Sequence, residues 1–377
     1  MNEGERPHDA DFMRAANSLA RRNLGATWPN PAVGCLIVQE AEGGQHVIGR
    51  GWTAKGGRPH AEAEALLQAG DAAHDTTAYV SLEPCAHHGQ TPPCAEALVA
   101  AGLARAVIAV EDPDPRMRGK GIAILRAAGI AVTTGVERLA AEDLNRGFFK
   151  RILQSLPLVT LKLASTLDGR IATASHESRW ITGERARREV HAMRAEHDAI
   201  LVGSSTVIED NPELTCRLPG LGNRSPVRIV ADSRMRVPLT SRLAETARDV
   251  PTWVLTLPTI DRERRRALSD LGLDVLEVAP GADGHIDLKL ALELVAARGI
   301  TRVLAEGGSE LAASLLLADL VDRVVWFRAP SLIGATGLPA IAGLGVTSLE
   351  DQPRFKRLSA RPVGEDLLET YARLSAA

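Results

Sequence analysis

The chain has 377 residues, which favours two domains over one because single hydrophobic cores rarely grow beyond about 250–300 residues. Hydrophobic residues make up 45% of it and charged residues 24%, and these ordinary globular values exclude a wholly disordered protein. The net charge of −3 gives no sign of a surface for polyanions. We therefore expect no nucleic-acid partner, although a local basic groove stays open as an alternative.

The sequence also bears on location. No apolar run approaches the roughly 20 residues that a membrane-spanning helix needs, so we expect no membrane association. Residues 1–22 are polar and acidic and lack the apolar core of a signal peptide. These features predict a cytoplasmic protein with reduced cysteines, and a structural disulfide between Cys85 and Cys94 is the alternative.

In the first half, predicted strands alternate with predicted helices. An amphipathic helix is predicted over 10–23. Strands are predicted at 32–38, 46–51, 76–82, 104–110 and 130–135, with the first two as a hairpin. Helices are predicted from about His60 and over 94–102, 121–129 and 137–153. The alternation predicts an α/β layered domain with a largely parallel sheet.

A boundary and a second α/β series follow. The residue before a proline resists helix, so "SLP" (155–157) favours a division into domains 1–153 and 154–377. Strands are predicted at 158–164, 199–203, 227–231, 252–256, 301–306 and 322–329. Helices are predicted near 183–195, 287–298 and 309–318, and 210–226 is predicted to be a loop.

Two stretches of the first half suggest a metal site, "PHAEAEALLQ" (59–68) and "SLEPCAHHGQTPPCAEAL" (81–98). A catalytic zinc takes three His or Cys ligands and keeps one position open, and His60, Cys85 and Cys94 supply that set. His60 and Cys94 fall at predicted helix starts, and Cys85 follows Pro84 just after a predicted strand. Helix N-termini favour the thiolate that binds metal. We therefore predict one Zn²⁺ shared by these three side chains.

Glu62 is the predicted proton carrier of this site. Two residues beyond a ligand on a helix, it points to another part of the helix surface, so it can face the zinc's water and move its proton. The combination matches zinc deaminases, in which hydroxide attacks a ring carbon that bears an exocyclic amine.

Several alternatives stay open for these residues. His60 and Glu62 can be an ordinary helix start, and the cysteines can be small buried hydrophobes. A structural zinc closed by His87 or His88 is a second alternative. A nucleic-acid deaminase, which needs a basic groove, is a third.

The second half gives weaker signals of its own. "VLAEGGSELAASLL" (303–316) predicts a strand, a Gly-Gly turn and a helix whose N-terminus can bind a phosphate. The dinucleotide fingerprint G-x-G-x-x-G is absent, and a purely structural corner is the alternative.

Motifs in both halves resemble one family. "NPAVGCLIV" (30–38), "PHAE" (59–62), "EPCAHHGQTPPC" (83–94) and "EDPDPRMRGKGI" (111–122) resemble the bifunctional deaminase–reductases of riboflavin biosynthesis. "LKLASTLDGRIA" (161–172), "ESRWITG" (177–183) and "GSSTVIEDNPELTCR" (203–217) resemble the reductase half of the same enzymes. The resemblance extends from about residue 10 to about 370. It implies a cytidine-deaminase-like α/β/α layered domain followed by a dihydrofolate-reductase-like α/β domain.

The resemblance implies two reactions on one pyrimidine ribotide. The first is zinc-dependent hydrolytic deamination of 2,5-diamino-6-ribosylamino-4(3H)-pyrimidinone 5′-phosphate. The second is NADPH-dependent reduction of the ribose of 5-amino-6-(5-phosphoribosylamino)uracil to its ribityl form. It also implies a homo-oligomer, with a dimer favoured.

Site residues follow from the resemblance position by position. His60, Cys85 and Cys94 match its zinc ligands and Glu62 its proton carrier, while Asn30 and His88 match contacts to the deaminase substrate. The implied NADPH contacts are Ala164, Trp180, Thr206, Asp210, Ser233, Gly308, Ser309, Glu310, Leu311, Ala312, Ala313 and Ser314. The implied contacts to the reductase substrate are Ser178, Arg194, Leu214, Arg217 and Glu306.

The residue types fit these roles, and each has an alternative. Arg194 and Arg217 can clamp a phosphate, and Glu306 ends a strand where ligands of α/β sheets bind. Alternatively Arg194 belongs to a solvated helix face and Trp180 to the core. Asp168 in "TLDGR" is at least as well explained as a turn residue.

The chain departs from the family pattern at two positions. Thr53 stands where the family often has His, and Gln90 where it has a basic residue. These two replacements leave the zinc chemistry intact. They concern how the base and the phosphate of the substrate are held. Lys55 and Arg58 are the candidates to compensate. In the second half, Arg234 beside Ser233 favours NADPH over NADH.

Overall fold

The computed structural model describes residues 5–89, 92–258 and 261–374. By internal contacts the chain divides into two compact units, Met1–Leu156 and Pro157–Ala377. The division falls three residues beyond the expected boundary after residue 153. No helix among the described residues is long and apolar enough to cross a bilayer.

The first unit is a five-stranded sheet covered by helices. Its strands are β1 (Gly34–Ala41), β2 (Gly44–Trp52), β3 (Thr77–Val80), β4 (Arg105–Ile108) and β5 (Ala131–Thr134). Its helices are α1 (Asp9–Ala20), α2 (Ala61–Ala69), α3 (Cys94–Ala100), α4 (Lys120–Ala127), α5 (Arg138–Leu144) and α6 (Arg146–Gln154). The order in the sheet is β2-β1-β3-β4-β5.

The strand directions match the expected largely parallel sheet with a β1–β2 hairpin, and they add an antiparallel pairing of β1 with β3. β3, β4 and β5 are parallel, as predicted, whereas β1 pairs antiparallel with both β2 and β3. β1 therefore runs against the other four strands. The reason is the β1–β2 hairpin, which reverses the chain before α2 carries it across to β3.

Helices α1 and α2 lie unusually close to the sheet because glycines face them. A Cβ on Gly34 would lie 1.9 Å from the carbonyl oxygen of Ala16, and a Cβ on Gly51 would lie 1.9 Å from that of Ala61. Any side chain at these positions would push the helix away. Gly51 thus fixes the height of α2 above β2, and with it the position of His60 and Glu62.

The predicted closing helix 137–153 is wrong as a single element. It is two helices, α5 and α6, which meet at Asn145. Asn145 is buried, its Nδ2 donates to the carbonyl of Ala32 (2.9 Å), and its Oδ1 accepts from the N–H of Ala32 (3.0 Å). A side chain held by backbone outside the helix competes with helical geometry, and this interrupts the helix.

The second unit is built on a nine-stranded sheet in the order β11-β10-β9-β8-β12-β6-β13-β16-β15. The nine strands of this sheet are β6 (Leu158–Ser165), β8 (Ala199–Gly203), β9 (Val227–Ala231), β10 (Thr252–Thr256), β11 (Asp274–Glu277), β12 (Arg302–Ala305), β13 (Arg323–Arg328), β15 (Phe355–Val363) and β16 (Asp366–Arg373). Two further strands, β7 (Arg170–Ala172) and β14 (Leu338–Pro339), form a separate two-stranded sheet. The helices of the second unit are α7 (Glu184–Ala195), α8 (Ser204–Asp210), α9 (Arg242–Glu245), α10 (Arg262–Asp270), α11 (Leu288–Ala297) and α12 (Ser309–Leu317).

This sheet is parallel from β11 to β13 and ends in an antiparallel pair, β16 and β15. The strands predicted from apolar runs are all present. Since parallel strands end at one edge, the carboxyl ends of β6, β8, β9 and β12 form a shared edge, which is where open α/β sheets bind ligands.

Candidate zinc centre and reductase site

Three donor atoms converge in the first unit. His60 directly precedes α2, Cys94 is the first residue of α3, and Cys85 follows β3. The Nδ1 atom of His60 lies 3.3 Å from Sγ of Cys94 and 3.6 Å from Sγ of Cys85. All three donors lie within 4.8 Å of one another. Tetrahedral zinc bonds would place sulfur and nitrogen about 3.6 Å apart, so the donor set fits this ion in both chemistry and spacing.

The two cysteines differ in their electrostatics. Sγ of Cys85 accepts the N–H of Cys94 (3.2 Å). The Cys94 side chain, and also His60, lower the pKa of Cys85 to about 4, so this sulfur is a thiolate at neutral pH. The neighbouring Cys85 sulfur and burial raise the pKa of Cys94. Neither sulfur takes part in a disulfide, so the alternative of a disulfide is not what the structure contains.

Glu62 lies in the first turn of α2 and is only 4% exposed. Burial, reinforced by the charge of Cys85, raises the pKa of Glu62 to about 7. A carboxyl group with that pKa can both accept and donate a proton near neutral pH.

Glu83 fastens the segment behind Cys85 and was not singled out from the sequence. It is buried two residues before Cys85. Its carboxylate accepts four backbone N–H groups, those of Asp112 (3.0 Å), Gly119 (3.0 Å), Gly121 (2.9 Å) and Ile122 (3.2 Å). It therefore holds the loop 111–122 and the start of α4 against the strand end that carries Cys85. A single carboxylate beside a proline offers no periodic signal from which this role could have been predicted.

The other residues expected at the deaminase site lie in different settings. Asn30 packs over Gly57, where a Cβ would come within 1.8 Å of Asn30 Nδ2. His88 is largely exposed, with Nε2 3.1 Å from Oε1 of Glu96. Thr53 is buried, and its hydroxyl oxygen accepts the N–H of Val33 (2.9 Å). Gln90 lies outside the described residues.

In the second unit, two of the expected substrate residues bind each other. Nε and Nη2 of Arg194 donate to the two carboxylate oxygens of Glu306 (2.8 and 2.9 Å), and Nη1 donates to the carbonyl of Thr215 (3.1 Å). Although burial opposes it, Arg194 holds the pKa of Glu306 below its usual value. Arg194 is thus a buried ion-pair partner and not part of a solvated helix face. The pair joins α7, the end of β12 and the loop 211–217.

Lys162 adds a second cation to this pair. It lies on β6, and burial lowers its pKa, while the charge of Glu306 acts in the opposite direction. Lys162 was not among the predicted site residues, although a lysine inside the apolar strand "LVTLKLAS" is an anomaly in the sequence.

The remaining expected substrate residues are more dispersed. Arg217 is 52% exposed, and its Nη1 donates to Oε2 of Glu213 (2.8 Å). Leu214 is buried and Ser178 is half-buried. The structure therefore brings Arg194 and Glu306 together but leaves Arg217 in an exposed ion pair of its own.

The expected cofactor residues lie along the carboxyl edge of the parallel strands. Ala164 is near the end of β6, Thr206 and Asp210 are in α8 after β8, Ser233 follows β9, and 308–314 begin α12. Ser233 Oγ accepts the N–H of Ile286 (3.0 Å). A Cβ on Gly308 would find Thr206 Oγ1 as its nearest neighbour, at 4.0 Å, so the backbone there is open to a ligand. Leu311, Ala312 and Ala313 are buried on the inner face of α12.

The structure decides the alternatives that the sequence left open for Trp180 and Asp168. Trp180 is 70% exposed, with the Arg187 guanidinium 4.5 Å from its ring centroid, so it is not a core residue. Asp168 accepts the N–H groups of Ile333 (3.3 Å) and Gly334 (2.7 Å), so it acts as a turn residue that ties two loops together.

A three-donor centre at two helix starts, a buried carboxyl group beside it and a second α/β domain define the class. It is a zinc-dependent deaminase joined to a reductase. Comparison with known proteins agrees for each part. The family model described as "Cytidine and deoxycytidylate deaminase zinc-binding region" matches residues 6–110, and the model described as "RibD C-terminal domain" matches residues 157–368.

Whole-chain relatives give the family. The chain is 41% identical over 372 residues to riboflavin biosynthesis protein RibD of Escherichia coli, covering 95% of this chain and 98% of that protein. It is 40% identical over 365 residues to RibD of Aquifex aeolicus, covering 97% and 98%.

Solved structures agree. Acinetobacter baumannii RibD has a TM-score of 0.87 and 39% identity, covering 97% of this chain and 99% of that one. A Thermotoga maritima protein described as a diaminohydroxyphosphoribosylaminopyrimidine deaminase and 5-amino-6-(5-phosphoribosylamino)uracil reductase has a TM-score of 0.84 and 32% identity, with 97% and 99% coverage.

The chain therefore belongs to the RibD family. It is a bifunctional deaminase and reductase of riboflavin biosynthesis whose cofactors are zinc and NADPH. The family, fold class and cofactors expected from the sequence are confirmed.

Proposed function

We propose that the first unit deaminates 2,5-diamino-6-ribosylamino-4(3H)-pyrimidinone 5′-phosphate. The second unit then reduces the ribose of 5-amino-6-(5-phosphoribosylamino)uracil. The observation that carries the proposal is the convergence of His60, Cys85 and Cys94 at zinc-binding distances beside the buried Glu62. The likeness to the Thermotoga maritima enzyme, whose description contains both substrates, supports it.

In the deamination, His60, Cys85 and Cys94 hold the zinc. When bound, zinc lowers the pKa of a water and so supplies a nucleophile at neutral pH. Glu62 accepts a proton from that water on its carboxylate and delivers it to the departing amine nitrogen. Burial suits Glu62 to both steps because it raises the pKa of Glu62 towards neutrality. Asn30 and His88 are proposed to position the pyrimidine ribotide.

In the reduction, the proposed NADPH contacts are the expected cofactor residues along the carboxyl ends of the parallel strands in the second unit. When bound, NADPH supplies the hydride. Gly308 and the N-terminus of α12 are suited to its phosphates because the backbone there is open and α12 is nine residues long. Arg234 is exposed just after β9 and is proposed to favour the 2′-phosphate of NADPH.

The Arg194–Glu306 pair, with Lys162, is proposed to orient the sugar. Its rigid bidentate geometry joins three elements and so holds the reacting carbon in one place. With its guanidinium already engaged, Arg194 is a weaker candidate for the phosphate than the exposed Arg217. Leu214 and Ser178 complete the proposed substrate contacts.

We also propose that the protein is a cytoplasmic homodimer. Free thiols at Cys85 and Cys94 are required for zinc binding, and a reducing compartment keeps them so. β15 is an edge strand of nine residues, exposed over most of its length, and its unpaired backbone groups offer a place where another chain can pair. Light scattering coupled to gel filtration should give twice the 40.2 kDa chain mass, and a monomeric mass would contradict the dimer.

The test of the proposed function is an assay on the ribotide with and without NADPH, with zinc content measured on the same sample. Without NADPH, ammonia should be released and the ribose should stay intact. With NADPH, one NADPH should be oxidised for each ammonia. NADPH oxidation without ammonia release, or no ammonia from zinc-loaded protein, would contradict the proposal.

A further inference from the structure

We propose that Arg58 binds the phosphate of the deaminase substrate and gives the first unit its preference for a ribotide over a riboside. This inference rests on the proposed function, which assigns a phosphorylated pyrimidine to the zinc site.

Arg58 is placed by a short closed loop that ends at the metal ligand. The N–H of Ala54 donates to the carbonyl of Pro59 (3.0 Å), and the N–H of Gly57 donates to that of Ala54 (2.9 Å). His60 follows directly after Pro59. The backbone of Arg58 is therefore held at a fixed distance, two residues along the chain, from His60.

The guanidinium of Arg58 reaches the segment between the two cysteines. A Cβ on Gly89 would lie 3.2 Å from Nη2 of Arg58 and 3.8 Å from the ring of His87. Arg58 thus spans from the loop before α2 to the turn 87–89, which continues from Cys85. Two of the three zinc ligands adjoin the segments that it connects.

The other expected substrate contacts lie on the same two segments. Asn30 packs against Gly57, the residue before Arg58, and His88 precedes Gly89. A ligand held between these two segments would lie near the Arg58 guanidinium, which extends from one segment to the other. Arg58 is half-buried, so its charge is screened less than that of a fully exposed cation.

The chemistry favours arginine for this task. A phosphate monoester is a dianion at neutral pH, and the planar guanidinium can donate two parallel hydrogen bonds to it. Residue 90, next to this turn, is a neutral glutamine, and Lys55 is exposed at the far end of the loop. Arg58 combines a positive charge with a position directly beside this turn.

The test compares ammonia release from the ribotide and from the same compound treated with phosphatase. Arg58→Gln should lower kcat/KM for the ribotide about ten- to a hundredfold, mainly through KM, which corresponds to the loss of one hydrogen-bonded charge. The riboside should be deaminated at the wild-type rate. Arg58→Lys should recover part of the loss. Arg50→Gln, the same change on the exposed part of β2, should alter neither substrate.

Zinc content and NADPH-dependent reduction of separately supplied 5-amino-6-(5-phosphoribosylamino)uracil control for folding. An equal loss on ribotide and riboside, or a phosphate-specific loss in Lys55→Gln in place of Arg58→Gln, would overturn the inference. If the wild-type protein releases no ammonia from either compound, it is the proposed function that fails, and the two failures are thereby distinguished.

Discussion

Glu62 shows how one residue gains its chemistry from its surroundings. The first turn of α2 buries it against two sulfurs, one of which is a thiolate, and this environment raises its pKa to about 7. A solvent-exposed glutamate, with a pKa near 4.3, would hold a proton too weakly to return it to an amine.

The prediction at this residue is selective. Glu62→Gln should keep zinc and lose about 10²- to 10⁴-fold in ammonia release, because glutamine has a similar shape but carries no proton. Reduction by the second unit should continue. Glu64→Gln, the same change two residues further along α2, is the matched control and should keep both activities. Deamination at the wild-type rate by Glu62→Gln would remove Glu62 from its role.

A second residue, His197, links stability to pH. It is buried in the second unit, with Nδ1 2.7 Å from the carbonyl of Met193 and Nε2 3.2 Å from Oγ1 of Thr160. Burial, with the charge of Arg302, lowers its pKa to about 4. In the unfolded chain the pKa of a histidine is about 6.5.

Between these two pKa values the unfolded state binds more protons, so acid favours unfolding. The free energy of unfolding should fall as the pH drops from about 6.5 to about 4, by at most about 1.4 kcal/mol per pH unit from this group. His197→Asn should be less stable at pH 7 yet show a shallower fall, measured by urea unfolding at several pH values. An unchanged slope would show that His197 does not titrate in this way.

At the scale of elements, the contact between α2 and β2 determines the position of the α2 residues at the zinc site. Helices usually rest on side chains, but here the backbone of α2 approaches Gly51 directly. His60 and Glu62 sit at the end of α2 that makes this contact, so the spacing of helix and strand is transmitted to the metal ligands.

Adding one methyl group should therefore disturb the metal site. Gly51→Ala places a Cβ against the carbonyl of Ala61, which should cost about 1–3 kcal/mol of stability and speed zinc loss to a chelator. Gly222→Ala, where a Cβ meets nothing within 4 Å, is the control. Normal zinc retention in Gly51→Ala would show that α2 can shift without moving His60.

Apolar runs made most elements of both units predictable. What the sequence did not reveal depends on contacts distant in the chain. The break at Asn145 involves Ala32, 113 residues away in the chain, and the pairing of β1 with β3 joins two strands that β2 and α2 separate in the chain. Helix α10 and strand β15 were missed because they are highly charged or exposed and lack a clear apolar pattern. Strand β16 was missed although most of it is shielded from solvent.

The candidate sites were predictable to different degrees for the same reason. Zinc ligands have a restricted set of residue types, so His60, Cys85 and Cys94 could be proposed from their types, their order and their positions beside predicted helix starts. The buried pair of Arg194 with Glu306 could not, since either side chain is equally at home on a surface. The role of Glu83 became visible only when the structure showed what surrounds it, whereas Lys162 could have been noticed as the one charged residue of an apolar strand.

At the scale of the whole molecule, each unit has its own sheet, and the residues of each candidate site come from one unit only. Removal of zinc should then abolish ammonia release and leave reduction of supplied 5-amino-6-(5-phosphoribosylamino)uracil within about twofold, since a site without metal contacts is not expected to respond. Zinc restored to the chelated protein should restore ammonia release. Loss of both activities on chelation would mean that the units depend on each other.

The central claim is that three side chains hold one zinc ion and leave a position for water. X-ray absorption at the zinc edge of the purified protein tests it most directly. We predict two sulfur neighbours at about 2.3 Å and two lighter ones at about 2.0 Å, of which one is an imidazole. Cys85→Ser should remove one sulfur, whereas Cys216→Ser, in the other unit, should change nothing. A second imidazole in the shell, or a sulfur count other than two, would contradict the account.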